Sequence, residues 1–254
     1  MSDYFDLHRH NHMSHDAINT EEECAAQAKH NGYKALGISN HGTIDNIRQH
    51  IEECCRNDIK PIAGAEIYLQ AYADSKPSHL CLFCKNRQGY DNLVHMFAES
   101  IDVNNKHVIP FQTLAKYHDG LICTTACLAS EIGRELLHNR FGAASKMLSR
   151  LKVLFNDDLY IEIIPYNCDT HGTQRRVNMQ LMHLAECYGV KCIITSDSHA
   201  CYRSNKYRCM PTMHEIYKRF ATMFHGVPSA SYSTYLDMLD SLDELADKVS
   251  YFAV

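Results

Sequence analysis

The sequence of 254 residues contains no long hydrophobic run and no excess of positive charge. No stretch approaches the roughly 18 consecutive apolar residues that a membrane helix requires, so we expect no membrane-spanning segment. Met1-Ser-Asp leads directly into a histidine-rich motif with no recognisable signal peptide, and we expect a cytoplasmic protein. The formal net charge of −5 argues against a broad basic surface for nucleic acid, although bound divalent ions can supply positive charge locally.

Internal repeats and low-complexity tracts are also missing, and the length suits one large α/β domain or two small ones. The twelve cysteines do not indicate disulfides, because the chain is long and no export signal is recognised. Cys81 and Cys84 have the spacing of half a zinc knuckle, but they lie within an apolar run. We therefore interpret this pair as core residues and expect reduced thiols throughout.

The most informative motif that is present is a short apolar run that ends in histidines near the start of the chain. It reads Tyr4-Phe-Asp-Leu-His-Arg-His-Asn-His-Met-Ser-His-Asp16. Alternate side chains of an extended strand share a face, so His8 and His10 can hold one ion or bridge two. Because the chain has 17 histidines, this motif alone is equally compatible with chance. Further candidate ligands along the chain are needed to decide.

Strands alternate with helices along most of the chain. Apolar runs predict strands at 5–8, 34–39, 59–63, 80–84, 121–125, 159–164 and 191–195. Thr20 and Glu23 form a predicted capping box, and apolar stripes at 141–155 and 177–188 predict amphipathic helices. This alternation predicts parallel pairing in a closed barrel or a doubly wound sheet. After about residue 202 the pattern becomes helical, at 213–224 and 236–249, so we divide the chain into a domain at 1–202 and a helical extension at 203–254 packed on it.

Candidate metal ligands recur where these predicted strands begin or end, and Asp16 in the first loop can join them. In chain order they are His8, His10, Asp16, His41, Glu66, His79, Cys127, Asp197 and His199. In a parallel β/α fold the carboxyl ends of the strands converge on one face, so we expect these side chains to meet there. Imidazole, carboxylate and thiolate together suit zinc, manganese or iron better than magnesium or calcium. Their combined negative charge requires two or more divalent ions for neutralisation.

The remaining histidines fall into two groups. Those on predicted helices are interpreted as surface or packing residues, and they are His30, His50, His95, His138 and His183. His12 and His15 flank the ligand cluster instead. Either of these two can replace Asp16 as a ligand or act as a proton carrier.

Six motifs in this order resemble the polymerase and histidinol phosphatase (PHP) family. They are Asp6-Leu-His-Arg-His10, Ile38-Ser-Asn-His-Gly42, Gly64-Ala-Glu66, His79-Leu-Cys-Leu82, Ala126-Cys-Leu-Ala-Ser-Glu-Ile132 and Ser196-Asp-Ser-His199. More narrowly, they are similar to the PHP domain at the N-terminus of the bacterial DNA polymerase III alpha subunit. The resemblance covers about residues 3–202 and implies a distorted (β/α)7 TIM-like barrel with the helical extension behind it. It also implies a trinuclear metal centre formed by the nine candidate ligands.

The sequence departs from the family pattern at two positions. Asn40 stands where the family usually has aspartate before the second-strand histidine, which weakens a contact expected to orient a ligand. The loop Ser14-His-Asp16 is one residue shorter than in the polymerase version, which leaves the choice of ligand between His15 and Asp16 open. No palm, thumb or finger sequence follows the resemblance, and we expect no polymerase activity from these residues.

The resemblance implies a metal-dependent phosphoesterase that acts on a DNA 3′ end as a 3′–5′ exonuclease. A metal-activated hydroxide would attack phosphorus in line. His8, His10 and Asp16 would support this chemistry as ligands, while Arg9, His12 or His15 would steady the phosphate or protonate the leaving group. The basic residues expected to guide the strand are Lys85, Arg87, Arg203, Lys206 and Arg208.

Two other functions fit the same residues. The first is a small-molecule phosphomonoesterase of the histidinol phosphatase type, which would have a closed pocket rather than an open groove. The second is a non-catalytic, metal-stabilised module that docks on a replicative DNA polymerase. A complete ligand set favours catalysis over the second alternative.

Overall fold

The computed structural model describes residues 3–166, 172–202, 206–223, 232–250 and 252. Its strands are β1 (Ala35–Gly37), β2 (Lys60–Ile62), β3 (Gly64–Gln70), β4 (Ser78–Cys84), β5 (Ile101–Asp102), β6 (His107–Pro110), β7 (Leu121–Thr124), β8 (Leu159–Ile163) and β9 (Lys191–Ile194). Its helices are α1 (Glu21–His30), α2 (Ile47–Arg56), α3 (Arg87–Ala98), α4 (Phe111–Lys116), α5 (Glu131–Leu137), α6 (Phe141–Phe155), α7 (Gly172–Tyr188), α8 (Met213–Met223) and α9 (Tyr232–Lys248).

The strands form a distorted α/β barrel. Seven of them make a mixed sheet in the order β5-β6-β3-β4-β7-β8-β9, while β1 and β2 form a separate parallel pair. The extended segment 4–10 closes the gap between β1 and β9. On one side the amide of Gly37 donates to the carbonyl of Asp6, and on the other the amide of His10 donates to the carbonyl of Ser198. The predicted barrel is therefore confirmed.

The predicted first strand at 5–8 is extended but irregular. Its hydrogen bonds are divided between two neighbours, and Arg9 forms an isolated parallel bridge with Ser198. The neighbouring backbone approaches so closely that a Cβ atom on Gly37 would lie 2.1 Å from the carbonyl oxygen of Leu7. Glycine at position 37 is therefore required for the barrel to close.

Strand β4 runs antiparallel to both of its neighbours, β3 and β7, which corrects the expectation of purely parallel pairing. The connection from β3 to β4 is only 71–77, and a parallel crossover needs about a dozen residues or more. The reversal places the beginning of β4, and with it His79, at the edge where the neighbouring strands end. His79 thus reaches the ligand cluster from the opposite chain direction.

The helices cover the barrel with the apolar faces that their sequences predict. Thr20 and Glu23 form the predicted capping box at the start of α1. Helix α6 buries Ala144, Leu148 and Leu151 of its predicted stripe. Helix α7 buries the corresponding side chains of its own stripe, which are Val177, Leu181, Leu184 and Ala185.

The C-terminal helices continue the core of the barrel. Helix α9 packs against β9, and its buried side chains Leu239, Leu242 and Leu245 belong to the same apolar cluster as the strands. The predicted helices at 213–224 and 236–249 correspond to α8 and α9. Within the described residues, no helix is both long enough and apolar enough to cross a membrane.

Candidate metal centre

Glu66 lies at the middle of the ligand cluster and is buried. Its Oε1 atom lies 3.6 Å from Nε2 of His8 and 3.0 Å from Nδ1 of His79. Its Oε2 atom lies 3.6 Å from Nε2 of His10 and 2.6 Å from Nδ1 of His41. One carboxylate therefore faces four imidazoles, an arrangement in which it can bridge neighbouring ions.

The first ligand group combines both histidines of the first motif with Glu66 and Asp197. The Oδ1 atom of Asp197 lies 3.3 Å from Nε2 of His8 and 3.4 Å from Nε2 of His10. Asp197 has a left-handed backbone, with φ of 51°, which non-glycine residues adopt rarely. This strained turn after β9 directs the carboxylate into the cluster, as is common at functional sites.

The second ligand group contains Glu66, His79 and Cys127. The Sγ atom of Cys127 lies 3.6 Å from Nδ1 of His79 and 3.8 Å from Oε1 of Glu66. Ala126, which precedes the cysteine, has a left-handed backbone with φ of 54°. The chain thus turns sharply after β7, and the turn places the thiol beside the beginning of β4.

The third ligand group contains Asp16, His41 and His199. The Oδ2 atom of Asp16 lies 3.4 Å from Nε2 of both histidines. His15 turns outward, with 71% of its side chain exposed, and its ring centroid lies 5.5 Å from that of His41. The structure therefore brings Asp16 into the cluster and leaves His15 at its mouth.

The spacing and chemistry of these groups fit divalent cations. Donor atoms about 2.1 Å from a tetrahedrally bound ion lie about 3.4 Å apart, close to most of the separations described above. Four buried atoms of the cluster make no hydrogen bond of good geometry: Nε2 of His10, Oδ1 of Asp16, and the pair Nδ1 of His41 and Oε2 of Glu66, which lie 2.6 Å apart. Buried polar atoms without a partner are rare in proteins, and cations would satisfy these four. Nitrogen, oxygen and sulfur donors together suit zinc, manganese or iron.

Burial and the surrounding carboxylates shift the pKa values of the histidines in the cluster. Burial disfavours the imidazolium of His8, but the surrounding carboxylates, chiefly that of Glu162, outweigh burial and raise the pKa of His8 to about 10. Burial likewise lowers the pKa of His41, but the carboxylates of Asp16 and Glu66 outweigh burial and raise that pKa to about 9. Burial lowers the pKa of His10 to about 3. The carboxylates therefore favour positive charge at His8 and His41, and bound cations would supply positive charge at the same place.

Sequence reasoning missed Glu162, a buried carboxylate on β8 that supports the cluster. Its Oε2 atom lies 2.7 Å from Nδ1 of His8 and accepts a hydrogen bond of 2.6 Å from the hydroxyl of Thr195. Its Oε1 atom accepts a hydrogen bond from the hydroxyl of Thr124. A single acid in the middle of the apolar run 159–164 was the available signal, because a buried charge requires partners.

Ser14 and Asn40 form a second support. The Oγ atom of Ser14 lies 3.0 Å from Nδ1 of His10 and donates to Oδ1 of Asn40 over 3.1 Å. The amide group of Asn40 also donates to Oδ1 of Asn11 over 2.8 Å. Asn40 therefore braces the first loop through neutral hydrogen bonds, in the position where the family usually has aspartate.

Arg9 does not reach the cluster, contrary to the expectation that it contacts phosphate. Its side chain is 1% exposed, and its guanidinium lies 2.6 Å from Oε1 of Glu21 and donates to the carbonyl of Gly37. The alternation of an extended chain explains this placement, because Arg9 faces away from His8 and His10. His12 is exposed at the surface, so neither residue lines the centre.

The predicted strand-guiding residues are separated by the barrel. Lys206 and Arg208 line a cleft of about 310 Å³ together with Asp16, His79 and other ligands, and Arg208 forms an ion pair with Asp197. Lys85 follows the far end of β4, six residues or about 20 Å from His79.

Lys85 pairs with Asp158 at that far end, and Arg87 pairs with Asp91. The structure therefore does not bring Lys85 and Arg87 to the cleft. Arg203 lies outside the described residues.

Tyr68 and Lys106 form a further edge of the centre that sequence reasoning missed. The ring centroid of Tyr68 lies 5.4 Å from that of His79 and 6.2 Å from that of His41. The ammonium of Lys106 lies 4.4 Å from the Tyr68 ring centroid. Lys106 belongs to the β5–β6 hairpin, which was not among the predicted strands.

Comparison with known proteins gives a family and distant structural neighbours. The model of the PHP domain family matches residues 6–165. The DNA polymerase III alpha subunit of Campylobacter jejuni is 30% identical over 80% of this chain and 18% of its own length. The alpha subunit of Aquifex aeolicus is 27% identical over 98% of this chain and 25% of its own length. The chain thus spans about a fifth to a quarter of these relatives.

Among solved structures, a putative metal-dependent phosphoesterase from Bifidobacterium adolescentis is 14% identical with a TM-score of 0.43. The match covers 85% of this chain and 96% of that one.

Proposed function

The chain belongs to the PHP domain family, and from this membership and the geometry of the cluster we propose a metal-dependent phosphoesterase that hydrolyses DNA from the 3′ end. The observation that carries the proposal is the arrangement of four imidazoles around the buried carboxylate of Glu66, beside a cleft that basic residues line. Ligands that leave room for an incoming group beside positive charge are typical of metal-assisted hydrolysis.

The nine ligands would hold two to three divalent ions in the three groups described above. When bound, such ions make a water molecule nucleophilic at neutral pH and take up negative charge on a phosphoester. Glu66 contributes one oxygen to each side of the cluster and keeps the groups at a fixed separation. Glu162 and Ser14 hold the imidazoles of His8 and His10 in the orientation that points Nε2 inward.

The residues at the cleft mouth would bind and protonate the substrate. Arg208 is held beside Asp197, so its guanidinium can contact phosphoryl oxygens without leaving the cleft. Lys206 adds a second positive charge on the same wall. We assign the protonation of the leaving oxygen to His15, because its exposed ring lies beside the third ligand group.

The open form of the centre favours a strand over a small phosphomonoester. Asp16 keeps 42% of its side chain exposed, so the ligand cluster opens to solvent instead of lying in a closed pocket. The DNA polymerase III alpha relatives support a DNA substrate and a polymerase chain as the partner. A phosphomonoesterase and a non-catalytic docking module remain as alternative outcomes of the experiment.

The test begins with the metal content of the purified protein and continues with hydrolysis. The substrates are 3′-labelled single-stranded DNA, a duplex with a 3′ mismatch, and p-nitrophenyl phosphate. We expect stepwise loss of 3′ nucleotides that His10→Ala abolishes, while the matched change His95→Ala at the exposed surface of α3 leaves it intact. Turnover of p-nitrophenyl phosphate alone would indicate the phosphomonoesterase. Bound ions without turnover of any substrate would indicate the docking module.

A further inference from the structure

A second cavity of about 600 Å³ lies beside the metal cleft. We call it the aromatic cavity, because the rings of Tyr166, Tyr202 and Tyr207 line it. Arg219 and Asn31 contribute polar groups to its wall. Its volume falls within the roughly 300–1,000 Å³ of small-molecule sites. None of the metal ligands lines it, so it is distinct from the catalytic centre.

The aromatic cavity and the metal cleft share a wall. Tyr207 lines both. The shared wall is the segment 206–210, and two backbone hydrogen bonds attach it to the turn that carries His199. The amide of His199 donates to the carbonyl of Arg208 over 2.8 Å, and the amide of Met210 donates to the carbonyl of Ala200 over 2.9 Å. The two cavities are therefore held at a fixed separation.

The side chain of Arg208 interacts with residues of both cavities. Its guanidinium pairs with Asp197 in the metal cleft and lies 5.1 Å from the ring centroid of Tyr166 in the aromatic cavity. The guanidinium of Arg219 lies 5.5 Å from the same ring. A phosphate at the cleft would thus lie beside Arg208, and the Tyr166 ring and Arg219 lie on the aromatic-cavity side of that guanidinium.

The lining suits a planar, uncharged ring better than a second phosphate. Tyr202 keeps 52% of its surface exposed, so a large aromatic face is available to a ligand. Glu215 places a carboxylate in the same cavity, where its Oε2 accepts hydrogen bonds from Thr212, and this negative charge opposes an anion. Proteins bind single strands by combining a cationic track for phosphates with aromatic rings on which bases stack.

We infer that the aromatic cavity is a nucleobase subsite, which holds a base of the strand whose phosphodiester lies at the metal cleft. This inference rests on the proposed function, and it names the part of the substrate that a phosphomonoester lacks. Stacking on tyrosine tolerates every base, so the subsite confers preference for nucleic acid rather than for a sequence.

The chain contains no tryptophan, which allows a direct test of stacking. The variant Tyr202→Trp has a single tryptophan, and a stacked base quenches its fluorescence. The titrations use the metal-loaded protein with a single-stranded oligonucleotide and an abasic oligonucleotide of equal length, both with phosphorothioate linkages that resist hydrolysis, and with inorganic phosphate. We expect saturable quenching by the first and about tenfold weaker binding of the abasic strand. The matched variant Tyr72→Trp, on a tyrosine of similar exposure in another part of the surface, reports non-specific quenching.

A second measurement uses the catalytic readout. We expect Tyr202→Ala to raise KM for the oligonucleotide about tenfold relative to KM for p-nitrophenyl phosphate. Hydrolysis of DNA with equal binding of the normal and abasic strands would overturn the subsite and leave the proposed function standing. Base-dependent quenching without DNA hydrolysis would overturn the proposed function and leave the subsite standing.

Discussion

Oε2 of Glu162 lies 2.7 Å from Nδ1 of His8, and both side chains are fully buried. A carboxylate only accepts hydrogen bonds, so this contact places the proton of His8 on Nδ1 and leaves Nε2 directed at Glu66 and Asp197. Thr195 and Thr124 donate to the carboxylate and prevent it from turning away. The orientation of a ligand on the first segment thus depends on a residue 154 positions later in the chain.

The first prediction concerns Glu162→Gln, which preserves the shape of the side chain and removes its charge. We expect metal affinity to fall about 10- to 100-fold, because an amide holds and polarises the His8 imidazole less well. Competition against a chromogenic chelator measures this change. The same substitution at the exposed Glu22 of α1 is the control. Unchanged affinity in Glu162→Gln would show that the hydrogen bond does not orient His8.

Arg9 provides the second prediction. Removing its guanidinium in Arg9→Met leaves the carboxylate of Glu21 buried without its closest cationic partner. We expect the free energy of unfolding to fall by about 3–5 kcal/mol, as measured by urea denaturation. The double variant Arg9→Met/Glu21→Gln should recover part of this loss. A variant that keeps its stability and loses turnover would instead assign Arg9 to substrate binding.

Acid sensitivity follows from the same ion pair. Burial alone would raise the pKa of Glu21, but Arg9 and His50 outweigh burial and lower the pKa to about 2. A depressed carboxyl pKa contributes stability above the pKa of the unfolded chain, near 4.3, and that stability is lost as the pH falls toward 2. We expect a contribution of about 3 kcal/mol to disappear in this window. In urea titrations, Glu21→Gln should flatten the pH dependence between about 5 and 2, and an unchanged slope would contradict the assignment.

The fourth prediction distinguishes the roles of Asp16 as a metal ligand and His15 as a proton donor. Asp16→Asn should reduce the metal content of the purified protein, because Asp16 lies 3.4 Å from both histidines of the third ligand group. His15→Ala should retain the ions and lower kcat for DNA, because His15 stands outside the cluster. Elemental analysis measures the metal content of both variants, and DNA hydrolysis measures their kcat. Loss of metal in His15→Ala alone would reverse the two roles.

The fifth prediction compares the basic residues at the two ends of the barrel. We expect Lys206→Ala to raise KM for single-stranded DNA several-fold and to reduce the slope of log KM against log salt by about 0.7. Arg87→Ala should change neither quantity, because Arg87 pairs with Asp91 at the far end. Measurements between about 50 and 200 mM salt resolve the slope. Equal effects of the two substitutions would place the strand on a different surface.

The sequence determined the features whose physical causes are local. Alternation along an extended segment pairs His8 with His10, and the capping box of Thr20 and Glu23 starts α1 where expected. The apolar stripe of α6 follows from helical periodicity in the same way. The ligand positions at strand ends also follow from the chain, since each lies beside a recognisable apolar run.

Tertiary structure decided the features that depend on residues far apart in the chain. The short connection before β4 reverses that strand and brings His79 to the shared edge from the other direction. Folding also buries Glu162 beside His8 and sends Lys85 to the end opposite the cleft. A side chain's type and spacing show what it can bind, but its partners are set by which strands become neighbours, and that is a property of the whole barrel.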